Sequence, residues 1–142
     1  MVRGIGVDSV EIQRIVDMMN KEKKPAFLRR AFTPAELEQA PPEERIRIRS
    51  EYLAARFAVK EAVFKAVAHL LPEKTFDFRI VETLYGENNC PYVHITEDLA
   101  PILAAAGVNR LHVSITTEGD YATAFVVACR ETESGQEEGL PT

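Results

Sequence analysis

The chain has 142 residues, 46% of them hydrophobic, enough for one domain with a sizeable core. Its net charge of −5 argues against general nucleic-acid binding, and no apolar run approaches the length of a membrane span. Two cysteines, Cys90 and Cys129, make no disulfide framework and suit a reducing cytoplasm, and the opening residues lack the basic-then-apolar layout of a signal peptide.

From the N-terminus, Ile5 and Val7 between flanking glycines predict a short buried strand over about residues 2–7, with Asp8 at its end. Val10, Ile12, Ile15, Val16 and Met19 then have helical spacing, predicting a helix over about residues 10–20. Asp8 or Ser9 is placed to cap that helix, and as a cap Asp8 needs no further role. Gly4 and Gly6 are no dinucleotide fingerprint, because the third glycine is missing. A short helix follows within a stretch, residues 21–30, that holds five basic residues against one acid. That excess is either a solvated basic face or a surface for an acidic partner. Thr33 and Glu36 form a capping box with Pro34 at the first helical position.

After Pro41 and Pro42 a long helix is expected to reach about Leu71. Residues 76–84 and 91–95 read as a strand pair, and Thr96 to Ala106 as an amphipathic helix closed by Gly107. Leu111, Val113 and Ile115 alternate with polar residues, and Glu118-Gly119-Asp120 turns the chain into a last strand from Tyr121 to Cys129. The expectation is an α+β domain over residues 1–130, with an antiparallel sheet packed against the long helix and shorter helices. Residues 131–142, rich in Gly, Glu and Ser, are expected to be a disordered tail. His69, His94 and His112 lack ligand spacing and read as structural.

The long helix carries the most informative pattern. At about 100° per residue, Glu61 falls roughly 40° and Lys65 roughly 80° from Phe57, and Phe64 and Ala68 flank the same sector. A carboxylate and an ammonium therefore share a face with aromatics. Glu61 and Lys65 are either a solvated i,i+4 pair or a charged site balanced by a metal ion or a phosphate. Lys60 lies on the other side of Phe57, where its stem can cover apolar surface.

Four ordered segments resemble the holo-acyl-carrier-protein synthases. They are Gly4-Ile5-Gly6-Val7-Asp8-Ser9-Val10-Glu11-Ile12, then Phe32-Thr33-Pro34-Ala35-Glu36-Leu37, then Arg56-Phe57-Ala58-Val59-Lys60-Glu61-Ala62-Val63-Phe64-Lys65-Ala66, and finally Val113-Ser114-Ile115 with Tyr121-Ala122-Thr123-Ala124. The resemblance spans residues 2 to about 129 and implies the 4′-phosphopantetheinyl transferase fold. It implies transfer of 4′-phosphopantetheine from coenzyme A to a serine of apo acyl carrier protein, leaving adenosine 3′,5′-bisphosphate, as a step of fatty acid biosynthesis in the cytoplasm. It also implies Mg²⁺ held by Asp8 and Glu61, a phosphate contact from Lys65, and a catalytic role for Glu61 in polarising the water or serine hydroxyl. Arg56 matches a position that approaches the nucleotide phosphates. Pro91, Ser114, Thr116 and Thr117 complete the implied coenzyme A contacts. A homotrimer with active sites between subunits is implied, as is a basic first helix, including Arg14, that meets the acidic carrier protein.

The sequence departs from this pattern at three places. Thr117 stands where the family has a histidine beside coenzyme A, and a threonine hydroxyl hydrogen-bonds without carrying charge. His69-Leu70-Leu71-Pro72 replaces a glycine-rich exit from the long helix, and residues 86–91 stretch a short hairpin turn. Two alternatives to the transferase stand beside it. One is a non-catalytic relative that binds carrier protein or coenzyme A. The other is an unrelated soluble module with a solvated Lys-Glu helix.

Overall fold

The computed structural model describes residues 1–72 and 77–132. Strand β1 (Val2–Glu11) runs past the expected end, because β5 (Tyr121–Cys129) pairs with it from Val2↔Cys129 to Glu11↔Tyr121. The Ile12 amide then donates to the Asp120 carbonyl at 2.8 Å, extending the pairing into the turn. Helix α1 (Ile12–Met19) therefore starts two residues later than expected, on Glu11, which makes no side-chain cap. Asp8 is not a cap and does not end the strand. It lies inside β1, opposite Ala124. Ser9 is likewise uninvolved in capping and shares a hydrogen bond with the Thr123 hydroxyl at 2.7 Å.

Helix α2 (Lys24–Ala31) holds Lys24, Arg29 and Arg30 of the basic stretch, and α3 (Pro34–Gln39) opens with the expected box. The Glu36 amide donates to Thr33 Oγ1 at 3.2 Å and the Thr33 amide to Glu36 Oε1 at 3.0 Å. Helix α4 (Ile46–Val67) is the centre of the molecule. It ends at Val67 and passes into a 3₁₀ turn, Ala68–Leu70, where the sequence had suggested one continuous helix. From Tyr52 onward it is buried on every side except along Phe57, Glu61, Phe64 and Lys65. The helix is buried almost all round although it carries Arg56 and Lys60, and small residues let it sit there. Ala54, Ala58, Ala62 and Ala66 are buried, as are Ala122, Ala124 and Ala128 of β5.

Two glycines set the distance between α4 and β1. A Cβ at Gly4 would stand 1.8 Å from the Ala66 carbonyl oxygen, and one at Gly6 would stand 1.9 Å from that of Ala62. Because side chains alternate along a strand, Asp8 continues the face of Gly4 and Gly6 and is carried against α4.

The strand expected from Phe76 starts later. Phe78–Ile80 is a 3₁₀ turn capped by Asp77, whose Oδ1 accepts from the Arg79 amide at 2.8 Å, and Phe76 itself lies outside the described residues. Strand β2 (Val81–Tyr85) pairs antiparallel with β3 (Pro91–Ile95) from Val81↔Ile95 to Tyr85↔Pro91. Their loop turns through Asn88 and Asn89 at φ 59° and 57°, a left-handed conformation that asparagine tolerates. Helix α5 (Leu99–Ala106) begins after Thr96, whose Oγ1 accepts from the Leu99 amide at 3.1 Å, and ends on Gly107 at φ 72°. Strand β4 (Arg110–Glu118) pairs with β5, so the molecule holds a β1-β5-β4 sheet and a separate β2-β3 ribbon. The tail expected from residue 131 lies, from 133 onward, outside the described residues.

Candidate active site

The close approach of β1 to α4 builds the first cluster. Lys65 Nζ donates to Asp8 Oδ1 at 2.9 Å and to the Val7 carbonyl at 3.2 Å. The ammonium is thus turned to β1, and the simple Glu61–Lys65 surface pair is not what forms. Glu61 is half-buried, and no described donor hydrogen-bonds to it. Burial raises its carboxyl above the ordinary glutamate range, the Asp8 charge raises it further, and Lys65 opposes both. Two carboxylates and one ammonium therefore share the accessible stripe of α4.

The set suits Mg²⁺, a hard cation that takes oxygen ligands and uses one or two protein carboxylates beside water and phosphate. The repulsion between the Glu61 and Asp8 carboxylates is what such a cation relieves.

A second cluster lies on another side of α4. Arg56 and Glu61 are five residues apart, a rotation of roughly 140°. Arg56 lines a cavity of about 350 Å³ with Tyr52, Tyr85, Pro91, Ile115 and Thr117. None of Asp8, Glu61 and Lys65 lines it. The Arg56 guanidinium carbon is 4.1 Å from the Tyr52 ring centroid and 4.5 Å from that of Tyr85. The side chain is buried, and its Nε and Nη2 have no hydrogen-bond partner among the described residues. Burial raises the Tyr52 phenol above its ordinary range, opposed by Arg56.

The sequence-predicted residues thus divide into groups. Asp8, Glu61 and Lys65 come together, and so do Arg56, Pro91 and Thr117. Ser114 and Thr116 join neither cluster. They stand on the face of β4 turned away from α4, opposite Phe125 and Thr123, while Thr117 points to the cavity side. Lys60 leaves the site altogether. It is fully buried, and its Nζ donates to Glu36 Oε1 at 2.7 Å, to the Phe78 carbonyl at 3.0 Å and to the Val81 carbonyl. Burial lowers its ammonium below the ordinary lysine range, and the Glu36 charge works against that.

His112 is not isolated: one of its ring nitrogens, Cys129 Sγ and a Glu131 oxygen lie within 4.8 Å of one another. Arg110 already places a guanidinium nitrogen 3.5 Å from Glu131. Tyr52 and Tyr85 went unnoticed in the sequence. The first stands four residues before Arg56 on one helix face, a signal that was available. Tyr85 comes from another element and left none.

Comparison with known proteins decides the family. The profile of the 4′-phosphopantetheinyl transferase superfamily (ACPS) matches residues 4–126. The chain belongs to this family. A holo-acyl-carrier-protein synthase of Halothermothrix orenii is 36% identical over 130 residues, covering 89% of this chain and 97% of that one. The crystal structure of the holo-acyl-carrier-protein synthase of Neisseria meningitidis matches with a TM-score of 0.76 and 34% identity, over 92% of this chain and all of that one. The Helicobacter pylori synthase, crystallised in complex with coenzyme A, matches with a TM-score of 0.69 and 26% identity, over 88% of this chain and 99% of that one. These transferases share the α+β architecture found here.

Proposed function

We infer that this chain is a holo-acyl-carrier-protein synthase, transferring 4′-phosphopantetheine from coenzyme A to a serine of apo acyl carrier protein. Membership of the transferase family and relatives of that name along nearly the whole chain support the reading. The observation that carries it is the Asp8–Glu61–Lys65 cluster, preserved where a mere binding relative has no use for it. In the reaction a serine oxygen bonds to the pantetheine-side phosphorus of the pyrophosphate. The phosphorus–oxygen bond to the nucleotide half breaks, and adenosine 3′,5′-bisphosphate departs with the electron pair.

Asp8 and Glu61 would hold Mg²⁺, which when bound neutralises the pyrophosphate charge. Lys65 reaches over the same stripe to a phosphate oxygen, exchanging its Asp8 contact for it. Glu61 is the group placed to accept the serine proton, directly or through water. Arg56, Pro91 and Thr117 bind the nucleotide half, where the unpartnered guanidinium nitrogens call for an anion.

The two clusters do not share a cavity, and a homotrimer with sites between subunits reunites them. Ile5, Val7, Tyr121 and Phe125 leave the outer face of the three-stranded sheet apolar and exposed, which supports self-association. Ser114 and Thr116 lie on that face and reach coenzyme A only across such an interface. Exposed Arg14, Lys21, Lys23, Arg29 and Arg30 offer the acidic carrier protein a basic approach. No described helix is long and apolar enough to cross a membrane. Free Cys90 and Cys129 fit a cytoplasmic place in fatty acid synthesis.

The test is intact mass spectrometry of an apo acyl carrier protein incubated with coenzyme A, Mg²⁺ and this chain. The expected result is a gain of one phosphopantetheine group that disappears when the metal is chelated. Coenzyme A binding with no mass gain on several carriers would favour the binding-only relative.

A further inference from the structure

The Arg56 cavity holds a cation whose setting packing alone does not explain. Arg56 is 2% exposed, and among the described residues two of its nitrogens, Nε and Nη2, have no hydrogen-bond partner. Aromatic faces attract a guanidinium without accepting its N–H bonds in the way a carboxylate would. Two rings around one guanidinium therefore fix its position and leave its nitrogen edge open to an acceptor. Glu51 also lines the cavity, but its carboxylate is engaged by Arg47 Nε at 3.1 Å.

The two rings are held differently. Tyr52 belongs to α4, and its hydroxyl donates to the Glu36 carbonyl at 2.6 Å. Tyr85 ends β2, pairs with Pro91 and is 43% exposed. Its backbone amide donates to Gln39 Oε1 at 3.3 Å. The Tyr52 and Tyr85 ring centroids are 6.3 Å apart and their planes 47° apart, a wedge that opens around Arg56. Tyr85 is thus the ring against Arg56 that α4 does not supply, in a cavity where Thr117 brings only a hydroxyl.

We propose that Tyr85 is a positioning and specificity residue for the donor, holding Arg56 to receive a terminal phosphate monoester on its nucleotide half. This rests on the transferase reading. The pyrophosphate is claimed by Asp8, Glu61 and Lys65, which do not line this cavity, so the anion left for Arg56 is the 3′-phosphate. A monoester dianion is also the better partner for an open guanidinium edge.

The test compares Tyr85→Ala and Tyr85→Phe with the unaltered chain, using coenzyme A and 3′-dephospho-coenzyme A as donors. Tyr85→Ala is expected to raise KM for coenzyme A about tenfold and to leave kcat within about twofold. Tyr85→Phe keeps the ring and should restore KM. With 3′-dephospho-coenzyme A, both variants should match the unaltered chain. An unchanged KM in Tyr85→Ala, an equal penalty on both donors, or a Tyr85→Phe as impaired as Tyr85→Ala would each overturn the assignment.

Calorimetric titration of adenosine 3′,5′-bisphosphate separates this claim from the functional one. Affinity should fall about tenfold in Tyr85→Ala whether or not transfer occurs. An unaltered chain that binds the bisphosphate and transfers nothing refutes the transferase alone. Transfer with undiminished bisphosphate binding in Tyr85→Ala refutes the role of Tyr85 alone.

Discussion

Asp8 shows how one side chain changes meaning with its neighbours. In sequence it precedes a serine and a helical pattern, and capping explains it fully. In the fold it faces α4, 2.9 Å from the Lys65 ammonium. The pair is partly exposed, so it contributes about 1 kcal/mol or less to stability. Asp8→Ala and Glu61→Ala should therefore leave the melting temperature nearly unchanged. On the proposed function each removes one of the two carboxylates that would hold the metal, so transfer should fall by at least about a hundredfold. Steady-state rates beside a thermal melt check this, and full activity in both variants would refute the site. Glu36 and Lys60 behave in the opposite way. Both are buried, and Glu36 Oε2 also accepts from the Thr83 amide at 2.9 Å, so this pair ties α3, α4 and β2 together.

At the scale of elements, the glycines of β1 decide where the carboxylates meet. Gly6→Ala would put a methyl group 1.9 Å from the Ala62 carbonyl oxygen, against backbone that has no rotamer to change. We expect a loss of about 3 kcal/mol, seen as a lower denaturation midpoint. Transfer should fall further than the folded fraction does, because α4 is pushed from β1 and Glu61 from Asp8. An unchanged midpoint would mean that the two elements are not in this contact.

Much of this arrangement was legible in the chain. The Thr33 box, the central helix and the β2-β3 and β4-β5 pairings followed from pattern, and the meeting of Asp8 with Glu61 and Lys65 from resemblance. The errors have physical causes. A cap preference at Asp8 and Ser9 is worth about 1 kcal/mol, and pairing of β1 with β5 through Glu11 overrides it. The buried role of Lys60 depends on Glu36, 24 residues away, whose carboxylate already serves a helix cap. The clamp on Arg56 needs Tyr85 from a different hairpin, which no local spacing reveals.

For the whole molecule, the separation of the two clusters has a direct consequence. If sites form between subunits, the Asp8–Glu61–Lys65 group of one protomer works with the Arg56–Tyr85–Thr117 group of its neighbour. Asp8→Ala damages only the first group and Arg56→Met only the second. In a closed three-subunit ring assembled from equal amounts of both variants, about one interface in four joins two intact groups. Unfolding and refolding the two variants together should then restore about a quarter of the transfer rate of the unaltered chain, although each alone is nearly inactive. Refolding them separately and mixing afterwards should restore little until subunits exchange. Co-refolded material no more active than the separate variants would place both groups at a site within one protomer. Because the apolar face of Ile5, Val7, Tyr121 and Phe125 would hold such a ring together, a charge placed there by Val7→Lys should yield monomers. Those monomers would keep the fold, since Val7 points away from α4, and would lose transfer with every catalytic side chain still in place.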